Sequence, residues 1–402
     1  MLSQPVSPAP TDRPERIAVD AAGDAAAFVI GPGPGGPGEA TGLWHGPLGG
    51  QPARLDAVVP DTNLAFAPEG PRFALAVQGE AGSMVIVADP AQAPSSWPRH
   101  PLPAFAEQVA WTEAGLIVLA ADPGADAASL TSGKPLPDAE EDPIVLPPAG
   151  GSGGIGGSPP LDGAAVGLAG FRRLWLVDPG TGEAAPASPD DLAIWEFAPV
   201  PGGGAVVVAS DDPAEAGWYH GRLEQLDAAG ARQRVLLESA WQLSSPAVSP
   251  DGRVAACIEG WASDRGLLAG EVRLLRLDQP GRSPAAAALP ADLDVTWLSW
   301  ADGGRLWLAG WHHLGTAWGW AEPVKGAGEV GGGDALALAG APADARLTVQ
   351  AEAASCLNSR WHPSVVPLAD GSALTMRSTP AVPPQVVRLR RGSEPAAWTA
   401  LN

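Results

Sequence analysis

Ser152, in Gly150-Gly151-Ser152-Gly153-Gly154, has the G-x-S-x-G spacing of a hydrolase nucleophile. That spacing does chemistry only on a strained strand-to-helix turn that exposes the hydroxyl to a base. Here it sits in a glycine tract running into Ser158-Pro159-Pro160, so we read it as a chance match. The overlapping Gly151-x-Gly153-x-x-Gly156 pattern lacks the strand–helix frame of a dinucleotide site and is read the same way. The six histidines are His45, His100, His220, His312, His313 and His362, with no H-E-x-x-H and no paired ligand spacing. His312 and His313 are adjacent, and neighbouring residues of a strand face opposite ways. No metal site and no cofactor are therefore expected. Cys257 and Cys356 are the only cysteines, without a C-x-x-C pair, which fits a reducing compartment. Glu140 and Glu141 form a carboxylate pair on a long polar loop, where solvation is the plain reading.

The elements that must carry these residues are strands. Among 402 residues, 51 are glycine and 44 proline, yet 45% are hydrophobic and 16 are tryptophan. Gly and Pro at this density break helices, and the apolar load is too high for a disordered chain. An all-β protein of short strands and tight turns remains. The net charge of −21 lacks the basic face that nucleic acid or an anionic membrane requires. The first residues show no signal-peptide pattern and no apolar run reaches 18 residues, so a cytoplasmic protein is expected.

Self-similarity gives the architecture. Pro246 to Cys257 reads strand, S-P-D-G turn, strand, and Glu271 to Asp278 supplies a third strand. Degenerate copies put turn glycines near 23, 70, 115, 202, 252, 303 and 371. Most steps are about 45–50 residues, the length of a four-stranded propeller blade. A pair of β-sandwiches also has strands at short spacing but predicts no such longer period. The expectation is a β-propeller of seven four-stranded antiparallel blades, or eight if Asp162-Gly163 marks one. It spans 16–402 after a flexible segment 1–15, with a Gly/Pro-rich loop at about 132–163. Asp211, Asp212, Glu215, Trp218 and Tyr219 follow one strand end, and Trp261, Asp264 and Arg265 another. Both stretches are inter-strand loops with an interface or pore role to consider. Asp264 and Arg265 can pair to fix their loop. Trp311, Trp318 and Trp320 read as packing between blades.

Phe171 to Gly182 (FRRLWLVDPGTG), Ile194 to Phe197, Ser210 to Tyr219, Ser245 to Gly252, Glu259 to Gly266 and the tail from Pro383 to Asn402 carry a resemblance. Together they resemble the propeller of the prolyl oligopeptidase family of serine peptidases, in its acylaminoacyl-peptidase and dipeptidyl-peptidase branch. S-P-D-G alone is shared with TolB-like propellers. The resemblance implies an α/β-hydrolase domain of the same polypeptide after Asn402, which would carry the Ser-His-Asp chemistry. This part would be non-catalytic and would restrict access to short peptide substrates. In dipeptidyl-peptidase relatives a propeller glutamate pair binds the substrate's free α-amine, the role Glu140 and Glu141 would take. Arg265 would meet a substrate carboxylate or the hydrolase domain. The alternative is a stand-alone propeller serving as a protein–protein interaction scaffold.

Overall fold

The computed structural model describes residues 13–31, 41–123, 125, 170–262, 268–281, 284–286, 289, 292–301, 304–321, 347–352, 355–356, 362–379, 382–390, 392–393 and 395–398. Turn chemistry sets where the strands end. At the S-P-D-G turn, Gly252 N–H donates to the Ser249 carbonyl at 2.8 Å. The Ser249 hydroxyl donates to Asp251 at 2.6 Å and accepts from Val254 N–H at 3.0 Å. Gly252 has φ +69°, a conformation glycine adopts without steric cost. Asp20 and Asp370 organise the corresponding turns, accepting backbone N–H bonds from Asp24 and Ala25, and from Ser372.

Among the described residues every strand pairing is antiparallel, and most join strands consecutive in the chain. β1 (Arg13–Val19), β2 (Ala25–Gly31), β3 (Gly42–Pro47) and β4 (Ala53–Asp56) form the first sheet. β5 (Ala65–Phe66), β6 (Phe73–Gly79), β7 (Gly82–Ala88) and β8 (Arg99–Leu102) form the second. β9 (Phe105–Thr112), β10 (Gly115–Ala121), β11 (Arg172–Val177) and β12 (Ala184–Pro186) form the third. β13 (Ala193–Pro199), β14 (Ala205–Ser210), β15 (Arg222–Leu226) and β16 (Arg232–Leu237) form the fourth, with a one-turn helix α1 (Glu215–Trp218) between β14 and β15. The fifth sheet has eight strands: β17 (Gln242–Val248), β18 (Val254–Ala262), β19 (Leu268–Arg276), β20 (Ala285–Ala286), β21 (Leu293–Ala301), β22 (Arg305–His312), β23 (Gly315–Ala321) and β24 (Leu347–Glu352). In the last, β25 (Ser355–Cys356) and β26 (Val366–Pro367) pair with opposite ends of β27 (Ala373–Thr379), followed by β28 (Val382–Leu389) and β29 (Ala396–Ala397).

The count corrects the expected seven or eight separate blades: six hydrogen-bonded sheets are present among the described residues. Two successive four-strand meanders, β17–β20 and β21–β24, merge where Gly270 of β19 pairs with Val295 of β21. Within each meander, glycine permits close backbone approach: a Cβ on Gly270 of β19 would lie 2.2 Å from the Glu259 carbonyl oxygen of β18, and one on Gly310 of β22 would lie 2.1 Å from that of Asp294 of β21. β1 also begins at Arg13, inside the segment 1–15 expected to be flexible. The 132–163 loop and Asp162-Gly163 lie outside the described residues.

The core lies between the sheets. The second strands read as continuous apolar runs because both faces are covered: β10 (GLIVLAA) and β14 (AVVVAS) are buried at every position. Successive interfaces are filled by clusters such as Val85, Val109 and Val118, then Leu119, Ile194 and Val207. Phe28 and Ile30 of β2 meet Leu374 of β27 and Val386 of β28 across the closing seam, and among the described residues no strand is exchanged between the terminal sheets. Trp398 completes the closure. Its ring meets Phe28 edge-on at 5.4 Å, and its Nε1–H is shared between the carbonyls of Pro47 (3.2 Å) and Gly50 (3.1 Å).

Candidate functional site

A meander places its first-to-second and third-to-fourth turns at one end of the ring. The second-to-third loops and the crossovers between meanders lie at the other, the loop-bearing end. The first strands of successive meanders contact one another and line the middle of the ring.

That inner lining is fastened by polar side chains reaching from one meander to the next. The Arg16 guanidinium donates to the Pro60 carbonyl. Asn63 bonds both backbone groups of Val109, at 2.9 and 2.8 Å. Gln108 donates to the Phe197 carbonyl at 3.2 Å, and Thr296 to the Pro363 carbonyl at 2.9 Å. Glu196 accepts the Ser245 N–H at 2.6 Å. Most of these strands bulge at this point, with register shifts at Glu15/Ala18, Ile194/Glu196, Ser244/Ala247 and Val295/Trp297. A bulge adds a residue that the ladder leaves unpaired, so its polar groups turn to the neighbouring sheet. Arg16 and Ser245 hold positive φ values of 54° and 52° there. Burial pushes the Glu196 carboxyl up to about 7, against the opposing hydrogen bonds from Ser245 N–H and the Ser244 side chain.

These residues were missed as a set, although a signal was present. Arg16, Asn63, Gln108, Ser245 and Ser364 each precede a turn glycine by seven positions, at 23, 70, 115, 252 and 371. The buried Arg172–Glu107 ion pair at 3.1 Å was missed too. Arg172 also lies over the Trp195 ring at 5.1 Å, tying the third sheet to the fourth.

The loop-bearing end holds the sequence-predicted loops. Asp211 takes a two-toothed ion pair from Arg222 (2.8 and 3.1 Å) and a bond from Arg232 (2.9 Å). The Arg222 hydrogen bond holds its carboxyl below the usual range. The Asp212 carboxylate accepts the Ala214 N–H at 2.9 Å, and its carbonyl accepts the Ser210 hydroxyl at 2.6 Å. Glu215 opens α1. Trp218 is buried in the core and meets Tyr219 edge-on at 5.0 Å, so it packs the loop down and does not line a pore. Glu140, Glu141, Asp264 and Arg265 lie outside the described residues.

Trp261 is 72% exposed, and its ring centroid lies 5.5 Å from that of Trp241, itself half exposed. Five large apolar side chains are exposed among the described residues, and four of them, Trp241, Trp261, Trp311 and Leu314, sit at this end of the fifth sheet. Trp318 is buried as expected; Trp311 is not. The expectation that His312 and His313 diverge is corrected. Their rings are 4.3 Å apart and both Nε2 atoms reach Asp292 Oδ2, at 3.0 and 3.4 Å. Strand alternation ends at His312, because His313 is a turn residue with φ +52°. Cys257 is buried, and burial pushes its thiol up, away from reactivity.

At the opposite end, a cavity of about 560 Å³ lies between the third and fourth sheets. Its walls are Trp111, Leu174, Leu176, Pro199 and the glycines 202–204. The lining is mainly apolar, with Thr112, Glu113 and Asp227 as its polar side chains.

No family model matches the chain, and no curated protein matches it by sequence. Solved structures do. Acylaminoacyl peptidase from Pyrococcus horikoshii superposes with a TM-score of 0.57 at 10% identity, over 97% of this chain and 52% of that one. The β-propeller domain of the trilobed protease from Pyrococcus furiosus gives 0.56 at 10% identity, over 98% of each chain. Kuenenia stuttgartiensis hydrazine synthase gives 0.55 at 13% identity, over 98% and 99%. The fold is an all-β propeller of antiparallel blades, similar to that of these solved structures. This chain spans about half the length of the acylaminoacyl peptidase it matches. The trilobed-protease domain is described as having an open velcro topology. Among the described residues, no helix is long and apolar enough to cross a membrane.

Proposed function

We propose that this chain is the non-catalytic, substrate-gating propeller of a serine peptidase of the prolyl oligopeptidase type. Its partner is an α/β-hydrolase domain of the same polypeptide, and its substrates are short peptides. The observation that carries this reading is the concentration of exposed Trp241, Trp261, Trp311 and Leu314 at the loop-bearing end. Exposed aromatic clusters of this kind mark contact surfaces. β1 starts at that end and β29 runs toward it, so a domain joined to either end of the propeller leaves from the same end of the ring as the patch. A ring whose inner strands are cross-fastened acts sterically. It keeps folded chains and bulk water from a chamber between the two domains.

A second reading, a scaffold without a hydrolase, has support in the equally good superposition on hydrazine synthase. One experiment separates the two. The native protein is captured with antibody to residues 13–398 and treated with a fluorophosphonate, which labels activated serines. The peptidase reading expects a labelled band heavier than 40.7 kDa that contains this sequence. An unlabelled 40.7 kDa band with no labelled partner overturns it. Recombinant residues 1–402 alone are expected to hydrolyse no aminoacyl or acylaminoacyl peptide.

A further inference from the structure

The geometry points to a divalent metal site, of the zinc class, formed by Asp292, His312 and His313 at the loop-bearing end of the fifth sheet. The ligand atoms of the three residues all lie within 4.8 Å of one another. The two imidazole Nε2 atoms stand 3.0 and 3.4 Å from the same carboxylate oxygen. Zinc holds nitrogen and oxygen at about 2.0–2.2 Å, so two tetrahedral ligand atoms lie about 3.3–3.5 Å apart. The 3.4 Å spacing falls in that range and the 3.0 Å spacing lies just below it, so a cation is admitted by adjustment of the three side chains.

The backbone makes the convergence possible. His312 ends β22, Gly315 begins β23, and the two pair across a two-residue turn of His313 and Leu314. A positive φ at the first turn position is glycine's place in such hairpins. Histidine occupies it with φ +52°, at a conformational cost of order 1 kcal/mol. That cost turns the second imidazole to the side of the first. Asp292 approaches from the crossover into β21. Its carboxyl is held below the usual range by its own backbone N–H and then by the His312 ring.

The donor set selects the metal. Two imidazoles and one carboxylate suit zinc and the later first-row cations, whereas calcium and magnesium prefer all-oxygen shells. Three protein ligands leave the fourth zinc position to water or to a donor group from outside. His313 and Asp292 are largely open to solvent, so that position is accessible. Each imidazole presents an unprotonated Nε2 to the metal. The site uses only residues of this chain and does not depend on the peptidase reading.

The test is calorimetric titration of tag-free, chelator-treated protein with Zn²⁺, repeated with Mg²⁺, on wild type, H313G and D292N. Wild type is expected to take one Zn²⁺ at micromolar affinity and no Mg²⁺. Each variant is expected to weaken Zn²⁺ binding at least about tenfold, as loss of one of three ligands requires. H313G places glycine in the conformation glycine prefers, so its thermal midpoint should match or exceed wild type, and loss of zinc cannot then be misfolding. D292N keeps the side-chain shape and serves as the second check. Absent Zn²⁺ binding at about 100 μM, Mg²⁺ binding of equal strength, or unchanged binding in folded H313G and D292N would each overturn the site.

Discussion

Replacing Glu196 with glutamine tests whether the inner fastenings of the ring are as desolvated as their geometry implies. Glu196 sits at the bulge of β13 and takes the Ser245 N–H at 2.6 Å. Burial raises its carboxyl from 4.5 to about 7. Between those values the folded chain binds more protons than the unfolded chain, so stability falls as pH rises through the window. The loss is complete above about 7 and absent well below 4.5. Integrating across the gap gives a loss of about 2.5 kcal/mol between about pH 5 and about pH 8. Glu196 keeps some exposure to the middle of the ring, which makes this figure an upper bound. The amide of E196Q can still accept from Ser245 and carries no charge. The variant should therefore match wild type near pH 5 and exceed it by about 2 kcal/mol near pH 8. Urea unfolding of both proteins at the two pH values measures this. Buried His362, lowered to about 4, gives the opposite slope between about 4 and 6.5, and it cancels in the difference between variants. Parallel pH profiles for wild type and E196Q would refute the placement of Glu196 in a low-dielectric seam.

Two further outcomes bear on the ring itself. W398A removes the edge contact with Phe28 and two carbonyl hydrogen bonds. It should cost about 2–3 kcal/mol in urea unfolding and raise hydrogen exchange first in β1 and β28, the closing seam. G270A puts a methyl group 2.2 Å from the Glu259 carbonyl oxygen. It should destabilise by about 1–3 kcal/mol and raise hydrogen exchange first in the β18–β19 pairing around Glu259 and Gly260; unchanged stability and exchange there would refute the close approach of those two backbones.

The strands and their turns were legible in the sequence because both are local. Glycine at a fixed place after an apolar run sets a hairpin wherever the rest of the chain goes, and the period of those glycines already spelled out radial sheets. The inner polar residues were legible in principle, seven positions ahead of those glycines, but a lone Asn63 or Gln108 looks like any solvated side chain until a neighbouring strand supplies its partner. The sheet count was not legible. It turns on the single pairing of Gly270 with Val295, and nothing in the local pattern of either strand marks the two as partners. The pairing of His312 with His313 was misjudged because alternation holds only while the strand continues, and one residue with positive φ reverses it. Sequence alone thus determined the repeating unit, since its causes lie within about fifty residues. Tertiary structure decided which units fuse, how Trp398 shuts the ring and which side chains gather at one end, since those depend on contacts between residues tens to hundreds of positions apart.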